Sequence, residues 1–476
     1  MSNSNYPTKE SVMRRAQELV DARKTFGELD VSGRLSNHSN KGDLGQIIEE
    51  GWYGYSPNND AEPDFAEAGV ELKVSPYKQT RNGVSAKERL VCDIINYMEE
   101  VEKTFETSAF WHKCKCICLL SYEWRKRIAK AKMFVDHATL LDEYPAEDLL
   151  IIKHDWEVII QKIRNGEAHL LTEGDTMYLA ACTKGATAES SYRSQPFSHL
   201  RAKQRAYSLK TTYMTRLLRK YVFGEEENEH IIKNWRLLEQ ASFDNIVLSM
   251  FDPYLGLSTR KIADELNQTV GAHTAKNSNA SVIRRLLGIT GDPNRAEEFK
   301  NANISVKTIV VNRNNQPEQC MSFPSFSFLE IIKQKWEDSD VYFQMAASRF
   351  LFVVFERESK TEEPVLKQVF FWNMPTGDIG KLKCVWEKTR MAIRQGAGLR
   401  RVGKNVKNTL PKSTDSEIAH VRPHASHAAY RFSDGTVIGD PERDANPLPD
   451  GQWMTTQCFW FNKNYMQKII AQAKEK

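Results

Sequence analysis

The sequence predicts a mixed α/β protein built from two copies of one domain, each a mixed central β-sheet flanked by helices. The main observation is an internal repeat. The run from Trp156-Glu157 to Ile163-Arg164-Asn165-Gly166 lines up without a gap on Trp386-Glu387 to Ile393-Arg394-Gln395-Gly396, at an offset of 230. Upstream, Phe105-Glu106-Thr107-Ser108 falls on Trp336-Glu337-Asp338-Ser339 at 231. Downstream, Lys210 and Tyr213-Met214 fall on Lys463 and Tyr465-Met466 with a one-residue slip. Matches that keep their order over such a separation mark a duplicated unit. Two further observations set the class: period-two and period-3.6 segments are interleaved, and a hairpin signal, Asn82-Gly83, sits among the strands.

The elements follow in order. Thr8 caps a helix running to about Ala22. A second helix carries Ile47, Ile48 and Glu49. Val70 to Pro76 alternates as a strand, and Asn82-Gly83 precedes the apolar stretch Leu90 to Tyr97. Lys115 to Tyr122 reads as another strand, so Cys114, Cys116 and Cys118 are expected on one face of it as small core thiols. Trp156 to Ile163 and Tyr213 to Tyr221 have helical spacing. The acidic segment Gly224 to His230 reads as the boundary, giving a first domain over 1–223, a linker over 224–233 and a second domain over 234–476.

Composition narrows the class. A chain of 476 residues suits two or three domains. Its 41% hydrophobic and 27% charged residues exclude a largely disordered or fibrous protein. The best apolar run, Phe350 to Phe355, is strand-sized and far from the ~20 residues of a membrane helix. The first fifteen residues have no apolar core, and the eight cysteines form no CxxC pair. A reduced, cytoplasmic protein with no membrane association is expected. The net charge of +4 is uninformative as a sum.

The chemistry sits in Pro63-Asp64-Phe65-Ala66-Glu67-Ala68-Gly69-Val70-Glu71-Leu72-Lys73, a D…E-x-K pattern. Period two puts Glu71 and Lys73 on one face of a strand, and the preceding turn lets Asp64 approach Glu71. Two carboxylates that close repel unless a divalent cation lies between them, and oxygen ligands of this kind suit magnesium. Phosphodiester hydrolysis needs such a cation, and Lys73 is placed to orient water or stabilise transition-state charge.

Around this pattern lie Lys41-Gly42-Asp43-Leu44-Gly45-Gln46-Ile47-Ile48-Glu49, then His112-Lys113, Asp155-Trp156-Glu157, the Gly166 turn and Leu209-Lys210 ahead of Tyr213. At these residues, from about Thr8 to Tyr221, the chain closely resembles the MutH-like nucleases, specifically the type II restriction endonucleases of that family that cut GATC. The resemblance implies a restriction-endonuclease-like fold in both copies. It implies an active site of Glu49, Asp64, Glu71, Lys73 and Lys113, with Asp64, Glu71 and Glu49 holding Mg2+, for which Mn2+ substitutes. The second copy departs at the same places: Arg284 underlies Glu49, Glu298-Phe299 underlies Asp64-Phe65, and Ser305-Val306-Lys307 underlies Glu71-Leu72-Lys73. A serine and an arginine there cannot hold a divalent cation, so the second copy is expected to be catalytically dead.

Charge is segregated along the chain. Between Glu189 and Glu225 lie eight basic residues and no acidic one: Arg193, Arg201, Lys203, Arg205, Lys210, Arg216, Arg219 and Lys220. Between Glu387 and Asp415 the count is again eight to zero: Lys388, Arg390, Arg394, Arg400, Arg401, Lys404, Lys407 and Lys412. Such runs suit phosphate neutralisation. The family reads GATC from a loop resembling Arg-Pro-Lys. The second copy has Arg422-Pro423-His424 there, with Arg422 placed to reach guanine, whereas the first has Lys184 alone. Lys210 is the expected phosphate contact, Tyr207 or Ser208 falls where the family senses adenine, and Arg205, Arg394 and Lys463 complete the expected DNA contacts.

The reading is a magnesium-dependent type II endonuclease that cuts both strands 5′ of G in GATC and leaves 5′-phosphates. The second copy binds DNA or acts as an allosteric effector. Double-stranded DNA is the partner, a cognate DNA methyltransferase the functional partner, and a solution monomer that dimerises on DNA the expected state. The alternatives are a mismatch-repair-type strand nickase at GATC and a non-catalytic DNA-binding or sensing protein.

Overall fold

The computed structural model describes residues 5–36, 43–57, 61–80, 83–184, 191–225, 229–266, 275–403 and 405–473. Lys41, Gly42, Asn82 of the expected turn, Gly185, part of the acidic linker and Lys404 lie outside the described residues, as does the side chain of Lys276. The chain forms two compact units: Met1–Ile246 with Arg295–Asn303, and Val247–Asn294 with Ile304–Lys476. This division differs from the boundary expected at 224–233, for a local reason. Glu298 accepts from the backbone N–H groups of Ile231 (3.0 Å) and Ile232 (3.1 Å), and Thr212 Oγ1 donates to Asn301 O at 2.6 Å. Those bonds fasten a short piece of the second sequence copy to the first unit.

In the first unit, Thr8 caps the helix Lys9–Ala22 through a reciprocal bond with Ser11, and Val12, Ala16 and Leu19 bury one face. The central sheet has strands Glu71–Thr80 (β1), Gly83–Ala86 (β2), Ile117–Glu123 (β4) and His137–Leu141 (β5), in the order β2-β1-β4-β5. β1 runs parallel to β4, with Glu71 opposite Ile117 and Lys73 opposite Leu119, while β2 and β5 are antiparallel neighbours. A second sheet, β3-β9-β6, joins Leu90–Ile94 (β3), Leu179–Thr183 (β6) and Arg205–Leu209 (β9), and Tyr192–Gln195 (β7) pairs with Ser198–Lys203 (β8) as a hairpin. The helix Ala146–Arg164 is fixed to the start of β6 by Asp155, whose carboxylate accepts from the N–H groups of Met177 (2.7 Å), Tyr178 (2.6 Å) and Leu179 (2.9 Å).

The second unit repeats this logic. Ile304–Val311 (β10), Arg349–Glu356 (β12) and Val365–Asn373 (β13) form a sheet in the order β10-β12-β13, parallel then antiparallel, as in β1-β4-β5; Met321–Ser325 (β11) joins another sheet. Repeat-related residues make the same bonds. The Phe105 ring lies 6.0 Å from Trp156, and Trp336 lies 5.3 Å from Trp386. Ser108 Oγ donates to Phe105 O at 2.7 Å and accepts from Trp111 N; Ser339 Oγ donates to Trp336 O at 2.6 Å and accepts from Tyr342 N. Arg164 Nε donates to Val101 O at 3.0 Å, and Arg394 Nη2 donates to Ile332 O at 2.9 Å.

One expected element is corrected. The cysteines do not alternate on a strand: Cys114 ends the helix Ala109–Cys114, Cys116 precedes β4, and Cys118 alone lies within it. Ser108 caps that short helix, which carries the chain through residue 114 before β4 begins. All three thiols are buried, in keeping with core packing.

The helix Asp43–Ile48 continues as a π-turn, Glu49–Tyr53, that closes on Gly54 in the left-handed region. Gly51 in that turn is pressed against Leu29, whose carbonyl oxygen lies 2.0 Å from where a Cβ would stand. Gly51→Ala is therefore expected to destabilise the fold by about 1–3 kcal/mol through forced backbone movement. An unchanged denaturant midpoint would show that the contact yields freely.

Candidate active site

Three folding events gather the expected residues. First, Phe65 and Val70 form a two-way bridge (2.9 and 3.2 Å) across a loop turned by Gly69 at φ +66°, which returns the chain so that Asp64 lies beside Glu71. The Asp64 N–H donates to Glu71 Oε2 at 3.3 Å, and the Leu72 N–H donates to Asp64 Oδ2 at 2.9 Å. Second, the parallel pairing of β1 with β4 sets both strand starts side by side, and Glu71 N donates to Cys116 O at 3.0 Å. Lys113, on the last turn of the helix before β4, thereby comes within electrostatic range of Asp64. It is a residue of the short helix Ala109–Cys114. Third, the π-turn starts at Glu49 and brings that carboxylate into the field of Asp64, Glu71 and Lys73.

The electrostatics follow from burial. Glu71 is 3% exposed, and Lys73 Nζ donates to its Oε1 at 2.5 Å. Burial raises the Glu49 carboxyl to about 7, the charges of Asp64 and Glu71 adding to it while Lys73 opposes. Asp64 rises to about 6, from burial first and then the Glu71 charge, against the pull of Lys73. For the Lys73 ammonium, burial alone would lower the pKa, but the charge and hydrogen bond of Glu71, with help from Asp64, hold it above the ordinary value. The site is thus acidic, desolvated and short of positive charge.

A divalent cation fits that shortage. Among the described residues no three His, Cys, Asp or Glu side chains form a ready-made metal cage. The donor set is the Asp64–Glu71 pair with Glu49 close enough to feel both, and few carboxylates with space for water is the arrangement magnesium favours. Asp93, which no sequence signal singled out, is a further carboxylate here. It lies where the β3 ladder shifts register, burial raises its pKa, and Lys113 and Lys73 oppose the rise.

The expected DNA contacts divide. Arg205, Tyr207, Ser208 and Lys210 all have interior side chains. Arg205 donates to the carbonyls of Ala181 (2.7 Å) and Leu171, and Lys210 to that of Thr176. Tyr207 donates to Glu100 at 2.9 Å, and Ser208 to Ala180 O at 3.4 Å. From the same basic run, Arg216 is buried against Asp148. These cations satisfy carbonyls and carboxylates inside the domain. Arg193, Arg201 and Lys203 instead stand exposed on the β7–β8 hairpin, and Lys184 follows β6, half-buried.

In the second unit, Arg394 serves as the helix anchor described above. Arg400, Arg401 and Lys407 are exposed on the hairpin formed by Arg400–Val402 and Asn405–Lys407. Arg422 is exposed, its guanidinium 3.8 Å from the Trp460 ring centre; His424 lies 5.7 Å from the same ring, and Lys463 opens the last helix half-buried. At the position matching Lys73, Lys307 is half-buried, lies 5.5 Å from the Phe323 ring and has no carboxylate partner among the described residues; burial lowers its pKa. The two lysines shift in opposite directions because only one has its carboxylates.

A stability signature follows. Without a cation, Glu49 and Asp64 keep protons in the folded state above the unfolded carboxylate range, so their contribution is present at low pH and lost as pH rises through about 6 and 7. A divalent cation held there would favour the ionised form, so the gain in melting temperature on adding magnesium is expected to be larger at pH 8 than at pH 5.5. An equal or smaller gain at pH 8 would contradict this charge balance.

The MutH DNA mismatch repair family model matches residues 53–155, which include Asp64, Glu71, Lys73 and Lys113. The chain is 38% identical to the type II restriction enzyme Sau3AI of Staphylococcus aureus over 98% of its own length and 99% of that protein. It is also 30% identical to the DNA mismatch repair protein MutH of Escherichia coli O1:K1 and of Shigella flexneri, over 38% of this chain and 79% of each repair protein. The full-length match spans both units, whereas the repair proteins match a part the size of one. The chain belongs to the MutH-like type II restriction enzyme family.

Proposed function

We propose that this protein is a magnesium-dependent endonuclease that hydrolyses both strands of double-stranded DNA at GATC, 5′ of G, using the first unit alone for chemistry. The observation that carries the reading is the cluster of Glu49, Asp64, Glu71 and Lys73, set against a second unit whose matching lysine, Lys307, has no carboxylate partner among the described residues. Asp64 and Glu71, with Glu49, would hold the cation, which supplies neutralisation of the phosphodiester and acidifies water. Lys73, held by Glu71, places a fixed positive charge where negative charge develops in the transition state. Lys113 adds a second. The water oxygen bonds phosphorus, the P–O3′ bond breaks, O3′ takes a proton, and the products are a 5′-phosphate and a 3′-hydroxyl.

The second unit serves as a DNA-binding or effector module. Its exposed Arg422, stacked on Trp460, presents a guanidinium fork suited to guanine O6 and N7. With one catalytic centre per chain, cutting both strands of a palindrome takes two chains or two successive nicks; we favour a monomer that dimerises on DNA. Strand nicking of the mismatch-repair kind is the second reading, and the match to a type II restriction enzyme over 98% of this chain weighs against it.

With magnesium and a GATC plasmid, the intact chain is expected to produce linear fragments, and Asp64→Ala or Glu71→Ala none. Retained cutting by either variant would refute the site, and nicked circles alone would favour the repair-type activity. Arg422→Ala is expected to weaken binding to a GATC duplex by about 1–3 kcal/mol at constant salt without loss of fold. Unchanged affinity would remove Arg422 from base recognition. On gel filtration, a GATC duplex should shift the monomer to a complex holding two chains, and a one-to-one complex would exclude dimerisation.

A further inference from the structure

We infer that Tyr55 is a catalytic hydrogen-bond donor, its phenolic O–H directed to a non-bridging oxygen of the scissile phosphate. The inference rests on the nuclease reading above. Its basis is a hydroxyl out of place: Tyr55 Oη is buried and finds no hydrogen-bond partner among the described residues. Buried hydroxyls are nearly always paired, and an orphan costs about 1–3 kcal/mol, so its retention calls for a partner that arrives later.

The position of Tyr55 identifies that partner. Its N–H donates to Glu49 O at 3.0 Å, and Gly54 N–H closes on the same carbonyl, so the end of the π-turn ties Tyr55 directly to Glu49. The Tyr55 ring meets Phe65, the neighbour of Asp64, edge-on at 5.7 Å, and Tyr53 at 6.4 Å, which locks its direction. Asp64, Glu49 and Glu71 are the carboxylates whose charge it feels most, in that order, and together with burial they keep the phenol protonated well above its ordinary range.

A neutral O–H held among carboxylates has a defined use. Carboxylates can only accept, and one of the three Lys73 donors is already held by Glu71. An incoming phosphodiester needs donors for its non-bridging oxygens, whose charge grows in the transition state, and a donor fixed beforehand in a dry site needs no reorganisation. The step leaves the phenolic proton on Tyr55, with no net transfer.

The test is Tyr55→Phe in the full chain, which removes one oxygen and keeps the ring. Single-turnover cleavage of a GATC duplex is expected to fall at least tenfold, with the melting temperature unchanged or higher because an orphaned polar atom has gone. Since sulfur accepts hydrogen bonds poorly, the slowing caused by a phosphorothioate at the scissile position is expected to be smaller in Tyr55→Phe than in wild type. Cleavage within twofold of wild type, a clearly lowered melting temperature, or an unchanged phosphorothioate penalty would each overturn the assignment. Wild type that fails to cut would instead refute the nuclease reading, so the two failures are distinguishable.

Discussion

Three carboxylates and a lysine are held together at the start of a parallel strand pair, where none of the four is well solvated. This is an unfavourable arrangement, and the surrounding fold is organised to impose it. The β1–β4 register sets Glu71 beside the entry to β4, the Phe65–Val70 bridge folds Asp64 back upon it, and the π-turn delivers Glu49. Each device sits at an element end or an irregularity, where geometry is set by a few specific bonds. Repulsion among the carboxylates is only partly relieved by Lys73, and the remainder makes the site receptive to a cation and an anionic substrate.

The second unit shows what the scaffold does without that charge. It retains the parallel-then-antiparallel sheet, the Trp336–Trp386 contact, the Ser339 cap and the Arg394 anchor, each matching a bond in the first unit. These bonds keep the packing while the residues at the candidate site differ. Lys307 persists on the strand as a half-buried cation over the Phe323 ring. The scaffold is therefore kept in a unit that lacks the charge of the candidate site.

Much of this was legible in the residues alone. The tryptophan-centred repeat marked the duplication because a buried aromatic with a fixed neighbour keeps its spacing, and the D…E-x-K pattern marked the site because period two is a reliable guide to a strand face. Less was legible where long-range pairing decides. Arg205, Lys210 and Arg216 read as a DNA-facing run, yet each is turned inward to a carbonyl or carboxylate that lies far away in sequence. The short helix that carries Lys113 before β4 went unread because it is set by the Ser108 cap rather than by apolar periodicity. The unit boundary was displaced by bonds from Glu298 that no local charge pattern announces. Tyr55 carried no signal, since an aromatic beside Tyr53 reads as core until its hydroxyl is seen to lack a partner.

The central claim is that a divalent cation is held by the carboxylates of the first unit and by nothing equivalent in the second. It is tested most directly by titrating Mn2+ into the full chain bound to a non-cleavable GATC duplex, with immobilised metal read by electron paramagnetic resonance. The intact chain and a Lys307→Ala variant should bind Mn2+ alike, and Asp64→Ala should lose that binding. Equal Mn2+ binding by Asp64→Ala, or its loss in Lys307→Ala, would contradict the claim.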